Sequence, residues 1–315
     1  MGHLCGTDED SKVWCNSDGE GVTTFVVGEI FLILGFIVIY VCCIPNVFVN
    51  PIWLIINKIF AIFVFLCSVI SHFKCMLSDP GAVPQDACPP SELNMDLTRV
   101  VMCSNCNCYK PEGAHHCSTC NRCIIQMDHH CPWVNNCVGI LNIKYFFLFL
   151  IYVGLLSIYG LATGITRLIL LGSKNRRGPP PIDVVFIAFM MVFASVFAIF
   201  TVIMAADIID TIFSGETKID KKQGKSYDTT FKKRMREVFG GTGSFSLFWF
   251  IPTTPYRKEK DTICGYIQRT KKTKEWYDSL ENEEEQKILI ADNQLLNRNI
   301  NTKSIPHIET SQEIV

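Results

Sequence analysis

Four long apolar runs constrain this chain more than any other feature. Residues 22–44, 52–73, 145–171 and 182–209 are almost free of charge: the first carries Glu29, the second Lys58, the third Arg167, and the fourth Asp183 and Asp207 near its ends. Each is long enough to cross a bilayer, whose hydrocarbon core takes about 20 residues of helix. One such run could be a buried helix of a soluble domain. Four in one chain predict an α-helical membrane protein with four transmembrane helices. A charge in hydrocarbon is costly, so each ionisable group in a run marks either a function or a local partner. Glu29 and Lys58 stand near opposite ends of their spans, too far apart to pair, and read as locally satisfied or snorkelling side chains.

Lys and Arg distribute unevenly around these runs. Five fall in residues 74–144 and eighteen in 210–315, against none between the first two runs and three, Lys174, Arg176 and Arg177, in 172–181. By the positive-inside rule the amino terminus, the middle loop and the tail face the cytosol. The formal net charge of -1 gives no sign of a nucleic-acid partner. The chain therefore divides into a cytosolic leader (1–21), transmembrane helices 1 and 2 (22–73), a cysteine-rich loop (74–144), helices 3 and 4 (145–209), a membrane-proximal tail (210–255) and a highly charged, disordered tail (256–315). Within the tail, residues 231–239 read as a short basic amphipathic helix suited to an anionic leaflet.

The chemistry concentrates in the loop. Of sixteen cysteines, eight lie between Cys103 and Cys137, with four of the seven histidines among them. Their order is Cys103-x2-Cys106, then His115-His116-Cys117-x2-Cys120-x2-Cys123, then Asp128-His129-His130-Cys131 and finally Cys137. Paired C-x2-C steps followed by His are zinc-ligand spacing, and the reducing cytosol argues against a disulfide framework. Two tetrahedral sites use eight Cys and His residues and leave some free. A free cysteine close to a histidine and an aspartate has the parts of an activated nucleophile, and Asp128, His129 and Cys131 supply them within four residues. On an extended strand positions i and i+2 share a face, so His129 and Cys131 can face each other while His130 turns to a metal. Spacing alone leaves open that Cys131 is a further structural cysteine.

The stretch C-x2-C-x3-K-P, HHC-x2-C-x2-C-x4-DHHCPWVNNCVG and Asn142 resembles the cysteine-rich domain of the DHHC-type protein S-acyltransferases. Asp79-Pro80-Gly81 and Val238-Phe239-Gly240 fit the same family, and residues 71–84 resemble its Golgi-resident branch. The resemblance implies four transmembrane helices with a cytosolic two-zinc domain between helices 2 and 3. One structural Zn2+ would sit on Cys103, Cys106, His116 and Cys123, and a second on Cys117, Cys120, His130 and Cys137, with Cys108 and His115 outside both. It implies transfer of palmitate or a similar acyl group from acyl-CoA, the co-substrate, onto substrate proteins with membrane-proximal cytosolic cysteines. Cys131 would be the nucleophile, His129 its general base and Asp128 the residue orienting His129. Trp133, Phe146, Phe149 and Leu156 would line an acyl cavity within the bilayer. The location implied is an endomembrane, the Golgi, with both termini cytosolic. The alternative reading is a zinc-folded membrane adaptor without catalysis.

Three positions depart from the family pattern. Gly113 stands where many members have an Arg for the phosphates of coenzyme A, leaving Lys110 and Arg122 as the CoA-binding cations. Thr217-Lys218-Ile219-Asp220 approximates the TTxE element. Arg234 takes the place of an Asn that ties the tail to the core.

Overall fold

The computed structural model describes residues 5–7, 11, 13–89, 101–173, 182–227, 229–257 and 263–266. The basic residues of 172–181 and nearly all of 256–315 lie outside that set. Four helices are long and apolar enough to cross a membrane: α1 (Gly19–Val47), α2 (Pro51–Leu77), α3 (Ile143–Ser173) and α4 (Asp183–Ser214). Each extends past at least one end of the apolar stretch read from the sequence, and polar caps start α1 and α2 ahead of theirs. The Asp18 carboxylate accepts the Gly21 N–H at 2.8 Å, and Asn50 accepts the N–H groups of Ile52 and Trp53 ahead of α2, with Pro51 as its first residue. Within α1, residues Val38–Cys43 form a π-helical turn just before Pro45, which has no N–H to continue the ladder.

Helix α3 is the axis of the bundle and packs along both α2 and α4. Close approach depends on its glycines. A Cβ at Gly154 would fall 2.9 Å from the Thr201 hydroxyl of α4, and one at Gly160 would fall 2.9 Å from Ile39 of α1. The charges within the spans are matched. Glu29 pairs with His72 of α2 at 2.6 Å, Arg167 with Asp183 at 3.0 Å, and Asp207 with Lys218 at 2.9 Å. Lys58 lies 4.8 Å from the centre of the Tyr40 ring.

The loop between α2 and α3 folds as small hairpins. β1 (Cys5–Gly6) and β2 (Val13–Trp14) belong to the leader and pair in parallel, which brings Cys5 and Cys15 side by side with their Cα atoms 5.5 Å apart. β3 (Met102–Cys103) pairs with β4 (Cys108–Tyr109), β5 (Ala114–Cys117) with β6 (Arg122–Ile125), and β7 (His129–Cys131) with β8 (Asn136–Val138), all antiparallel. Asparagines hold this unit to the membrane helices. The Asn136 amide donates to the carbonyls of Cys75, Met76 and Ser78 at the end of α2, satisfying groups the helix leaves open. Asn142 accepts the Gly139 N–H and donates to Cys137. The leader closes the other side, with the Trp14 indole donating to Asn136 at 2.7 Å and Asn135 donating to the Asn16 carbonyl.

The short helix α5 (Lys218–Lys222) and α6 (Phe231–Phe239) follow α4. The helix expected at residues 231–239 is present, but one face is buried: Arg234, Met235, Glu237 and Val238 pack inward. Arg234 is 2% exposed and donates to Glu237 at 2.6 Å, to Gln126 of the hairpin domain at 2.8 Å and to the carbonyls of Ile212 and Thr211 at the end of α4. The substitution of Arg for Asn therefore keeps the tail anchored, by a longer reach. Order also continues past the boundary at 255. Arg257 donates to the carbonyls of Glu237, Val238 and Ile140, and Cys264 and Tyr266 are buried.

Truncating Arg234 leaves the Glu237 carboxylate buried and unpaired, a loss of about 3–5 kcal/mol. The expected outcome for Arg234→Ala is a clearly lower melting temperature in detergent, partly restored by Arg234→Ala combined with Glu237→Ala. A single variant that melts like wild type would refute this anchoring.

Candidate active site and metal centres

Two strands carry alternating duties because neighbouring side chains point to opposite faces. On β5, His116 turns toward Cys123, its register partner on β6, while Cys117 turns to the other side. On β7, His130 faces its partner Cys137 on β8, and His129 and Cys131 share the remaining face. The result is two donor sets, Cys103–Cys106–His116–Cys123 and Cys117–Cys120–His130–Cys137, each with its donor atoms within 4.8 Å of one another. The turns after Cys106 and Cys120 pass through Asn107 and Asn121, both at φ 52°. Asn tolerates this left-handed conformation better than most residues.

The sets can be tested against zinc. Bond lengths of about 2.3 Å to sulfur and about 2.0 Å to nitrogen in a tetrahedron require S···N edges of about 3.6 Å. In the second set the sulfurs of Cys117, Cys120 and Cys137 stand 3.6, 3.4 and 3.6 Å from His130 Nδ1. In the first, Cys103 and Cys106 stand 3.8 and 3.1 Å from His116 Nδ1. Three thiols and one imidazole at this spacing fit a structural Zn2+ in each set. Cys108 and His115 belong to neither.

Beside the second set, Asp128 is buried and its Oδ2 lies 2.9 Å from His129 Nδ1. Its Oδ1 accepts the Thr211 hydroxyl and the Lys218 N–H, both at 3.2 Å. Burial would raise the Asp128 pKa, but these contacts, His129 foremost, outweigh it and hold the group below its ordinary value. For His129, burial would favour the neutral ring. The hydrogen bond that its Nδ1–H donates to Asp128 and the neighbouring Cys131 sulfur prevail and hold its pKa up at about 9. With Nδ1 engaged, Nε2 is the free ring nitrogen and has no hydrogen bond in normal range. Cys131, 4% exposed, is on the same face.

The approximate TTxE element works through Asp220. Thr217 and Asp220 form a reciprocal capping box at α5, and Asp220 Oδ1 also meets His115 Nε2 at 3.3 Å and the Tyr227 hydroxyl at 3.0 Å. Burial opposes ionisation there, yet the bonds from His115, Thr217 and Tyr227 lower the pKa to about 2. His115, left over from metal binding, thus ties the hairpin domain to the chain leaving α4.

An apolar cavity of about 640 Å³ runs between α1, α3 and α4, lined among others by Trp133, two residues after Cys131, and by Phe149, Leu156, Ile39, Cys42 and Phe186. Trp133, Phe149 and Leu156, three of the four residues expected at an acyl cavity, line this apolar space. The ring of Phe146 instead packs edge-on to His129, with centroids 5.4 Å apart, because it sits one turn before Phe149 on α3 and meets the hairpin domain. Of the two cations expected at coenzyme A, Lys110 is half-buried at the surface. Arg122 is turned inward, donating to the carbonyls of Thr7 and Val83 at 2.6 and 2.9 Å, so its guanidinium braces the fold. Gly113 has φ 73°, a conformation in which the Arg of the family pattern would be strained. His72, which also lines the cavity, was not expected at the site; in the sequence it is the penultimate residue of the second apolar run, within the 71–84 stretch that resembles the Golgi-resident branch.

A model of the family described as DHHC palmitoyltransferase matches residues 98–225. The chain is 35% identical over 266 residues to the palmitoyltransferase ZDHHC7 of Mus musculus, covering 80% of this chain and 84% of that protein. It is 36% identical over 271 residues to the palmitoyltransferase ZDHHC3 of Homo sapiens, covering 79% and 86%. It is 33% identical over 229 residues to the probable protein S-acyltransferase 14 of Arabidopsis thaliana, covering 62% and 71%.

Removing one thiolate from a set uncouples metal binding from folding of the loop. Cys120→Ser is expected to lower zinc from two to about one per chain and to reduce the yield of folded protein, read by elemental analysis after purification. Two zinc ions and an unchanged melting temperature would overturn the ligand assignment.

Proposed function

Because the chain belongs to the DHHC palmitoyltransferase family and is a protein S-acyltransferase of the membrane, we propose that Cys131 carries the acyl group between acyl-CoA and the cysteine of a protein substrate. The observation that carries this reading is the shared face of His129 and Cys131, with His129 held from behind by a buried Asp128. His129 Nε2 takes the thiol proton. The Cys131 thiolate attacks the thioester carbonyl, the carbon–sulfur bond to coenzyme A breaks, and the departing thiolate takes the proton from His129. In the second half a substrate thiol gives its proton to His129, attacks the Cys131 thioester and releases the Cys131 thiolate. The two zinc ions take no part in bond making; they would hold Cys131 and His129 in place, since His130 is a ligand lying between them in sequence.

The acyl chain lies in the cavity below Cys131. Each methylene kept from water is worth about 0.8 kcal/mol, so a long chain stays in the apolar space while its carbonyl reaches the thiolate. Trp133 and Phe149 flank the mouth and Leu156 stands deeper. Lys110 is the cation left to meet the phosphates of coenzyme A. We place both termini and the hairpin domain in the cytosol, on the distribution of Lys and Arg, and the enzyme in an endomembrane, the Golgi. Its substrates then present cysteines close to the cytosolic membrane face. An adaptor without catalysis would have no use for a buried Asp–His pair aimed at a cysteine.

Cys131→Ser is expected to abolish self-acylation by labelled palmitoyl-CoA while leaving two zinc ions and the melting temperature unchanged. A variant that still acquires label would assign the nucleophile elsewhere. Leu156→Ala is expected to move the preference toward eighteen carbons and Leu156→Trp toward fourteen or fewer, by about 1–3 kcal/mol of discrimination. Competition among acyl-CoA donors, read as the acyl groups found on Cys131, measures this; identical profiles for all three proteins would place Leu156 outside the length limit.

A further inference from the structure

Glu29 and His72 are the polar pair in the membrane helices that approaches the active site, and nothing in the acyl-transfer steps above uses them. His72, on α2, is almost fully buried. Its Nδ1 lies 2.6 Å from Glu29 Oε1 on α1, and its Nε2 lies 2.8 Å from the backbone carbonyl of Trp133. The imidazole is sandwiched between Phe25, with centroids 4.3 Å apart, and Phe149, at 4.2 Å and nearly parallel. It also lines the cavity together with Trp133 and Phe149.

The proton count follows from the partners. A carbonyl only accepts, so Nε2 carries a proton and donates to Trp133. The 2.6 Å contact between Nδ1 and Oε1 needs one more proton, held by either atom. An imidazolium beside a carboxylate and a neutral imidazole beside a carboxylic acid both leave the pair with no net charge. That neutrality is what makes the pair tolerable among apolar helices. Its single outward act is the hydrogen bond to the Trp133 carbonyl, two residues after Cys131, in the turn formed by Pro132–Val134.

We propose that Glu29 and His72 are positioning residues for the acyl transfer: through the Trp133 carbonyl they fix the Cys131–Pro132–Trp133 turn over the mouth of the cavity, so that the sulfur meets the carbonyl of the seated chain. This inference rests on Cys131 being the acyl carrier. The arrangement links α1 and α2 to the hairpin domain at Trp133, which lines the cavity two residues after Cys131. Asn136, three residues beyond Trp133, ties the following strand to the end of α2; His72 ties the turn itself.

Four variants in the full-length protein test it, with zinc content and melting temperature recorded for each. His72→Phe keeps an aromatic ring in the sandwich and removes the donor. It is expected to lower kcat for formation of the acyl-enzyme by about tenfold or more, as a misplacement of about 1 Å can cost about 10²-fold, while KM for palmitoyl-CoA stays within about threefold. Glu29→Leu is expected to match it, because the imidazole loses the partner that sets its tautomer. Glu29→Gln is expected to recover most of that loss, since the amide N–H can donate to Nδ1 and keep the proton on Nε2. His72→Gln, which can still donate to the carbonyl, is expected to fall between wild type and His72→Phe. A wild-type kcat in His72→Phe, or a rise in KM alone, would reduce His72 to a wall of the cavity and overturn the proposal. So would a Glu29→Gln variant as slow as Glu29→Leu. If His72→Phe loses zinc, the two Glu29 variants decide. Palmitate located by mass on the Cys131 peptide of the wild-type enzyme separates the two levels: its absence refutes the acyl carrier, whereas its presence with unaffected variants refutes only the positioning pair.

Discussion

The gathering of four Cys and His donors at each of two points in the loop between α2 and α3 is the constraint on which the rest depends. The hairpins of that loop have strands of two to four residues, far too short to hold a shape by backbone pairing alone. Donor sets fit for zinc close them. The same alternation that sends His130 to a metal leaves His129 and Cys131 together on the opposite face, so building the scaffold and presenting the reactive pair are one geometric event. A change in register of one residue would exchange them.

A scaffold of this kind is useful only if it stays in register with the bundle beneath it. Asn136 and Asn142 bond to the final carbonyls of α2, Asp128 accepts from the end of α4 and the chain beyond it, and Arg234 reaches from the tail to the same end of α4 and to Gln126. These contacts share a logic. Helix ends carry unsatisfied backbone groups, and at a membrane face they are the available polar attachment points, so the soluble part of the chain docks by satisfying them. The apolar cavity then opens directly below the turn that follows Cys131.

Four membrane helices, two Cys/His sites of zinc-ligand spacing and a shared strand face for His129 and Cys131 were legible from the residues, while the division of the ligands into two sets came with the family resemblance. Length in hydrocarbon, C-x2-C spacing and the period of two along a strand are local rules that need no knowledge of what packs against what. Other features were not legible. Arg122 looked like a surface cation and turned out to brace two carbonyls, and Phe146 looked like a cavity residue and packs on His129. Arg234 looked like a lost anchor, and its longer side chain rebuilds the anchor through Gln126 and Glu237. In each case the side chain's residue type was compatible with both places, and only its neighbours from distant parts of the chain chose between them.

What the amino-acid sequence determined by itself was therefore the kind of protein and the cluster of Cys, His and Asp residues in its loop, because hydropathy, Cys and His spacing and strand alternation act over a few residues. The tertiary structure alone decided the partners of the ionisable groups inside the bilayer. Glu29 and His72 are 43 positions apart and His72 and Trp133 are 61 apart, yet they form one hydrogen-bonded chain that ends two residues from Cys131. No local pattern encodes that chain; it exists because α1, α2 and the hairpin domain converge where a buried charge has no water to turn to.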